Sequence, residues 1–440
     1  MRLPTHVLEC VQALEAASFP TYAVGGCVRD YLLGLEPQDF DLCTAATPEQ
    51  TQAVFTHRQL VLAGVKHGTV GVVFPQGVVE ITTFRTEGGY TDGRHPDWVQ
   101  FVPNIEDDLA RRDFTVNAMA WSPSRGLCDP FGGQTDLKNH ILRAVGHAPT
   151  RFQEDSLRIL RGVRFSVKYN LEPEPNTLAA MQALAGLMDG LARERVFEEM
   201  TKLLLLVNAE DLIRFAPILT QPIPELAPAI GFNQHSPHHA YDLFTHTAHV
   251  TAGVAPEPVM RWAALLHDAG KLTTFTQDAT GRGHFYGHAK ESARIADGVL
   301  LRLKAPTTLR EQAVLLIEQH MSRLLPERKL LRRRLSQLGQ PTVEQLLQLQ
   351  GADMNSKGTG HEDEQAQFAQ IRPILTQIYE ENACLSLKDL AINGSDLLAL
   401  GFAPGKDLGQ CLQYLLEQVV DETLPNQPEA LLAEANKRLP

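Results

Sequence analysis

The stretch from Tyr22 to Thr44 constrains the fold most. YAVGG reads as a short apolar strand running into Gly25-Gly26, VRDYLLGL as the helix that follows, and DFDLCT as a second strand. Asp39 and Asp41 are separated by one residue, so on a strand both carboxylates point to the same face. Two carboxylates side by side repel each other unless a cation lies between them. Such a pair suits two divalent ions about 4 Å apart, an arrangement made for phosphoryl chemistry. Gly25 and Gly26 let backbone N–H groups approach an anion at the helix start, with Arg29 one turn in. GTVGVVF and VVEITTF are rich in β-branched residues and read as a hairpin joined through PQG. Glu80, on the second of these strands, is a candidate third carboxylate, an exposed strand acid being the alternative reading.

From about residue 150 the pattern is helical. FQEDSLRILRGVRFSVKY predicts one helix with Leu157, Leu160 and Phe165 on one side and arginines on another. On it Asp155 and Arg158 share a face at i,i+3 spacing, and Arg161 and Arg164 continue that face. The polar, glycine-rich run from Arg85 to Trp98 predicts a mobile loop, and the Pro-rich run from Pro217 to Pro237 predicts a linker between helical domains. A chain of 440 residues implies several domains, and 43% hydrophobic with 21% charged residues fits an ordinary globular protein. No run reaches the roughly 20 apolar residues of a membrane helix, and the first residues carry no secretion pattern. The six cysteines are scattered without a C-x-x-C pair, which points to a reducing cytoplasm. A net charge of −12 argues against general attraction to nucleic acid, but patches make the contacts. Two basic clusters stand out: Arg151, Arg158, Arg161, Arg164 and Lys168, and Arg323 with Arg328, Lys329 and Arg332 to Arg334. A solvated face is the plain alternative for both.

A second constellation lies farther along. His246, the adjacent His267-Asp268, His288, His320 and Asp353 fall in separate helical segments. Imidazole and carboxylate ligands on different helices can meet around a divalent ion in a bundle.

GGCVRDYLLG followed by DFDLCT resembles the signature of the tRNA nucleotidyltransferase and bacterial poly(A) polymerase group. RRDFTVNAMA, DPFGGQTDL and EDSLRILRGVRF are similar to the next motifs of that group, in order. The resemblance implies an α+β fold: a small mixed-sheet, polymerase-β-like palm head over 1–145, a helical neck over 146–220, an HD-containing helical body over 221–360 and a helical, tRNA-holding tail over 361–440. It implies template-independent addition of C, C and A to tRNA from CTP and ATP, with Mg²⁺ on Asp39 and Asp41. Asp155 can accept from the exocyclic amine of cytosine or adenine and Arg158 can donate to the ring, which rejects uracil and guanine. The resemblance gives these two positions the same role. Gly26, Arg29, Arg112, Arg161 and Arg164 suit triphosphate or ribose contacts. By the same resemblance, enzymes that add only CC tend to lack an intact version of the expected loop, so the presence of YTDGRHPD implies that the last A can still be added. His246, His267, Asp268 and Asp353 match the ligand pattern of the HD phosphohydrolases, so a second divalent metal and phosphate-ester hydrolysis are expected there. Addition of A alone, to tRNA or as a poly(A) tail, stays open, as does an HD phosphohydrolase with a nucleotide-sensing head.

Overall fold

The computed structural model describes residues 1–88, 98–236, 240–358 and 362–439. The chain divides into two compact units, Met1–Val207 with Arg214–Ala227, and Asn208–Ile213 with Pro228–Pro440.

The first unit carries strands β1 (Thr21–Val24), β2 (Asp41–Thr44), β3 (Leu60–Val61), β4 (Thr69–Phe74), β5 (Gly77–Thr83), β6 (Arg85–Gly88), β7 (Trp98–Phe101), β8 (Ala120–Ser122) and β9 (Gly126–Cys128). Seven form a mixed sheet in the order β3-β4-β5-β2-β1-β8-β9. β2 and β5 run parallel, and the other neighbours are antiparallel. The expected hairpin is present: β4 and β5 pair from Thr69↔Thr82 to Phe74↔Gly77, turning through Pro75 and Gln76. Val70, Val72, Val79 and Ile81 bury the alternating apolar face that fixes this register. Tyr22, Val24 and Cys43 pack with Phe84, Ile105 and Leu109 against the sheet, which seats the ends of β1 and β2 firmly.

Four expectations need correction. The run from Arg85 to Trp98 is not loop at its ends, because β6 and β7 pair from Arg85↔Phe101 to Gly88↔Trp98. Glu87 ties this ribbon down through Arg111, at 3.2 Å. The middle, residues 89–97 with YTDGRHPD, lies outside the described residues. Asp39 precedes β2 instead of lying within it. The single helix over Asp155 and Arg158 is two helices, Ala148–Glu154 and Leu157–Tyr169. Asp155 is extended between them (φ −144°, ψ 100°), and its Oδ1 accepts from the Leu157 N–H at 3.1 Å. An aspartate offers a backbone N–H an alternative to the helical carbonyl, so it starts a helix better than it continues one. The Pro-rich run does join the two units, whose boundary after Ala227 falls inside it, but it is packed rather than open: Ile218, Ile223 and Leu226 are buried in it.

The second unit is helical apart from the two-residue strands Thr276–Gln277 and Gly283–His284. Helices Leu243–Gly253, Pro258–Leu266, His288–Arg302, Thr307–Gln319 and Gln340–Asn355 pack around Trp262, Leu266, Leu300 and Leu316. A separate apolar cluster of Leu397, Leu415 and Leu431 joins the C-terminal helices. Much of the second basic cluster is spent inside this unit. Arg332 is buried and donates to the Val420 and Val419 carbonyls at 2.8 and 2.9 Å, while Arg333 and Lys329 pair with Asp421. Arg328 pairs with Glu381 and Glu422. Among the described residues, no helix is long and apolar enough to cross a membrane.

Candidate active site and candidate metal centre

In the first unit a cleft of about 500 Å³ gathers Gly26, Arg29, Asp41, Arg112, Asp155, Arg158, Arg161 and Arg164. β1 delivers the chain to Gly25, whose φ of 71° suits glycine; a Cβ there would lie 2.8 Å from Arg112 Nη1. The register Val24↔Asp41 sets Asp41 beside this turn. Partial loss of hydration in the cleft raises the Asp41 pKa; Arg112 opposes the shift and the Asp39 charge reinforces it. Asp39 and Glu80 do not line the cleft. Glu80 is exposed, but the parallel register Leu42↔Ile81, carried one residue back, stands it beside Asp41.

The arginines are held by acids. Arg161 donates through Nε and Nη2 to Asp113 Oδ2 at 2.9 and 2.7 Å. Burial pushes the Asp113 carboxyl up, but the Arg161 charge and the Asn117 hydrogen bond outweigh it and hold the pKa at about 2. Arg164 pairs with Glu199 and Arg29 with Asp30, and Arg29 also donates to Asn117 and Tyr169. Asp155 and Arg158 both face the cleft without pairing with each other. Asp155 Oδ2 accepts from Arg195 Nη2 at 2.9 Å. Arg158 is 8% exposed and donates to Glu154 and to the Arg151 and Arg111 carbonyls. Two buried donors of residues that line this cleft, Arg112 Nε and Arg195 Nη1, have no hydrogen-bond partner among the described residues. Orphaned guanidinium N–H groups in a cleft fit an anionic ligand. Sequence reasoning did not single out Asp113, Asn117 or Arg195. The first two lie inside the RRDFTVNAMA motif, whereas RERVFEEM carries no signal for Arg195.

In the second unit His246, His267, Asp268 and Asp353 come together, with His288 and His320 beside them. His246 Nε2 lies 3.4 Å from Asp268 Oδ2 and 3.1 Å from Asp353 Oδ1. His267 Nε2 lies 3.2 Å from Asp268 Oδ2 and 3.9 Å from Asp353 Oδ1. Burial works against a charged His246, yet its hydrogen bonds to Asp268 and Asp353 lift its pKa to about 9. Burial likewise works against the Asp268 and Asp353 charges, but the neighbouring histidines and lysines hold both carboxyls well below the usual range. His267 Nε2 is buried without a well-directed hydrogen bond, which is how a ligand atom for a cation looks. The donor set of imidazoles and carboxylates therefore fits a divalent metal. Asp268, His288 and His320 also line a cleft of about 350 Å³ with Lys271, Arg323 and Lys357.

Comparison with known proteins finds relatives along nearly the whole chain. Family profiles for the poly A polymerase head domain, the "Probable RNA and SrmB- binding site of polymerase A" and tRNA nucleotidyltransferase domain 2 match residues 21–143, 170–230 and 288–435. The CCA-adding enzyme of Latilactobacillus sakei is 34% identical, over 99% of this chain and 100% of that protein. The chain belongs to the CCA-adding enzyme family. The Streptococcus sanguinis CCA-adding enzyme is also 34% identical, over 98% of this chain and 97% of that protein. A crystal structure of the Bacillus stearothermophilus CCA-adding enzyme in complex with CTP is 28% identical, covers 100% of this chain and 98% of its own, and superposes with a TM-score of 0.73. Members of the family are nucleotidyltransferases that generally need a divalent metal. The mixed-sheet head and helical body expected from the sequence are the fold of the family.

Proposed function

We propose that the first unit adds C, C and A to the 3′ end of tRNA from CTP and ATP, without a template. The observation that carries this reading is the cleft, where Asp41 stands opposite buried guanidinium donors that lack partners, in a chain of the CCA-adding family. Asp39, Asp41 and Glu80 would hold Mg²⁺, which when bound supplies Lewis acidity toward the attacking 3′-hydroxyl and the triphosphate. Arg112, with its free Nε, binds triphosphate oxygens. Arg29, Arg161 and Arg164 are oriented by Asp30, Asp113 and Glu199, so they add positive potential with little freedom to reorganise. Asp155 accepts from the exocyclic amine of cytosine or adenine, and Arg158 presents a guanidinium fixed by two backbone carbonyls. Uracil and guanine offer a carbonyl where Asp155 needs a donor, so its carboxylate rejects them.

For the second unit, the joint burial of His246, His267 and Asp268 supports a metal-dependent phosphohydrolase of the HD type. Lys271, Arg323 and Lys357 at its cleft suit a phosphate ester. One experiment tests both readings: incorporation of labelled CTP and ATP into a tRNA transcript lacking its last three nucleotides, run beside metal-dependent hydrolysis of p-nitrophenyl phosphate. Two C residues and one A, with termination, are expected. Addition only after CC, or a long A tail, would replace the reading by the A-adding alternatives. Asp41→Asn should remove incorporation and leave hydrolysis, and His267→Ala the reverse; loss of both activities in either variant would sink the division of labour.

A further inference from the structure

Tyr169 ends the Leu157–Tyr169 helix, lines the cleft of the first unit and is only 8% exposed. Its phenol meets Arg29. The guanidinium carbon lies 4.1 Å from the centre of the Tyr169 ring, and Nη2 donates to the hydroxyl at 2.5 Å. The other Arg29 bonds go to Asp30 Oδ1, from Nε and Nη2 at 2.9 and 2.7 Å, and to Asn117 Oδ1, from Nη1 at 2.5 Å. Four of the five guanidinium N–H groups are therefore engaged within the protein, which leaves Arg29 one for a ligand.

The direction of the Arg29 bond decides what the hydroxyl has left. A guanidinium only donates, so the Tyr169 oxygen accepts and its own proton turns elsewhere. Among the described residues no acceptor lies within hydrogen-bond reach of that proton. A buried donor is costly to leave without an acceptor, and a cation on its oxygen makes the O–H a stronger donor. The surroundings decide which acceptor fits. Lys168 Nζ lies 5.1 Å from the Tyr169 ring, and Arg161 and Arg164 lie 5.1 and 4.6 Å from the adjoining ring of Phe165. A group drawn to this end of the cleft is anionic. About 16 Å of helix axis separates Tyr169 from Arg158. A nucleotide whose base lies against Arg158 thus reaches the phenol only with the end remote from its base.

We infer that Tyr169 donates its phenolic O–H to a terminal phosphate oxygen of the bound nucleoside triphosphate, with Arg29 holding the hydroxyl in place. The inference rests on the nucleotidyl-transfer reading above and adds a binding residue to it. Phosphate oxygens also run along the tRNA backbone, and separate measurements on nucleotide and tRNA tell the two sources apart.

The test is Tyr169→Phe in the full-length chain, which keeps the ring against Arg29 and removes only the hydroxyl. KM for CTP is measured on a tRNA transcript lacking its last three nucleotides, and KM for ATP on one ending in CC. Both should rise by about 10-fold, the worth of one hydrogen bond to a charged oxygen. The factor should be the same for the two because they share the triphosphate, with kcat changed less than about twofold. KM for tRNA and the discrimination of CTP against UTP should stay as in the parent. By equilibrium dialysis, CTP should bind the variant more weakly, whereas CMP, which lacks the terminal phosphates, should bind both proteins alike. Fluorotyrosine at position 169, a more acidic phenol, should bind CTP more tightly; weaker binding would mean that the hydroxyl only accepts from Arg29 and would overturn the donation. Unchanged KM for CTP and ATP, or an equal loss for CMP, would also overturn it. A rise confined to tRNA would move the phosphate to the RNA and overturn the nucleotide assignment. A parent protein that binds CTP but incorporates nothing would instead sink the nucleotidyl-transfer reading, and this inference with it.

Discussion

Asp113→Asn isolates the electrostatics that hold the arginine-lined cleft together. Asp113 is buried, and its four acceptor contacts come from Arg161 Nε and Nη2, the Phe114 N–H and Asn117 Nδ2. Its pKa of about 2 lies below the ordinary 3.8. At 1.36 kcal/mol per unit, that difference amounts to about 2.5 kcal/mol of native-state stabilisation at neutral pH. Arg161 is 36% exposed, so solvent screening brings the net to about 2 kcal/mol. Asparagine keeps the shape and loses the charge. Because the folded pKa is the lower one, the stabilisation is complete above the unfolded value and fades as pH falls toward the folded value. The gap between parent and variant should be flat from pH 7 to 5, roughly halved by pH 3, and lost near pH 2. For a unit of about 220 residues, 2 kcal/mol corresponds to a midpoint lower by about 4 °C. Scanning calorimetry of the full-length proteins across pH measures it, with hydrogen exchange on β1 and β2 assigning the shift to the first unit. A gap of equal size at pH 7 and pH 3 would refute the charge pairing as its source.

Three further outcomes follow from the same geometry. Arg195→Ala frees Asp155 from its 2.9 Å partner; a partly buried ion pair of about 1–2 kcal/mol corresponds to a roughly 5- to 30-fold loss of kcat/KM. Discrimination of CTP and ATP against UTP and GTP should fall with it, and the melting midpoint should drop by about 2–4 °C. Gly270→Ala places a Cβ 2.5 Å from both the His288 carbonyl and the Ser292 amide. The helix that begins at His288 must shift, so metal content should drop and the second unit should lose about 2–4 kcal/mol, read by elemental analysis and calorimetry. Arg332→Ala leaves the Val419 and Val420 carbonyls without their donor; about 2–3 kcal/mol should be lost, seen as faster proteolysis of the C-terminal helices.

The sheet and its turn were readable because local signals agreed there. YAVGG runs consecutive apolar residues into a glycine that must adopt a positive φ, and β4 and β5 carry matched β-branched faces around a two-residue turn. The break at Asp155 was missed because helical periodicity runs through it unbroken, and the competing force is one side chain that accepts the Leu157 amide. Arg195 carries no local pattern at all; its importance arises when the Arg193–Leu204 helix packs against the Leu157–Tyr169 helix and lays it beside Asp155. The histidines were legible as a series, but which of them meet at Asp268 depends on how their helices pack, which spacing along a chain does not encode.

The order in which the chain visits its two units limits how such proteins diversify. After Val207 the chain contributes Asn208–Ile213 to the second unit and then returns for Arg214–Ala227. Those returning residues supply Phe215, Ile218 and Ile223 to the buried interior of the first unit. A recombination junction at Val207 would therefore hand a new partner a catalytic head stripped of part of its hydrophobic filling. A junction after Ala227 would keep that filling and take away Leu212, a buried residue of the other half. Neither half is a cassette with one clean edge, so exchanging the second unit while keeping the first requires compensating changes on both sides of the splice.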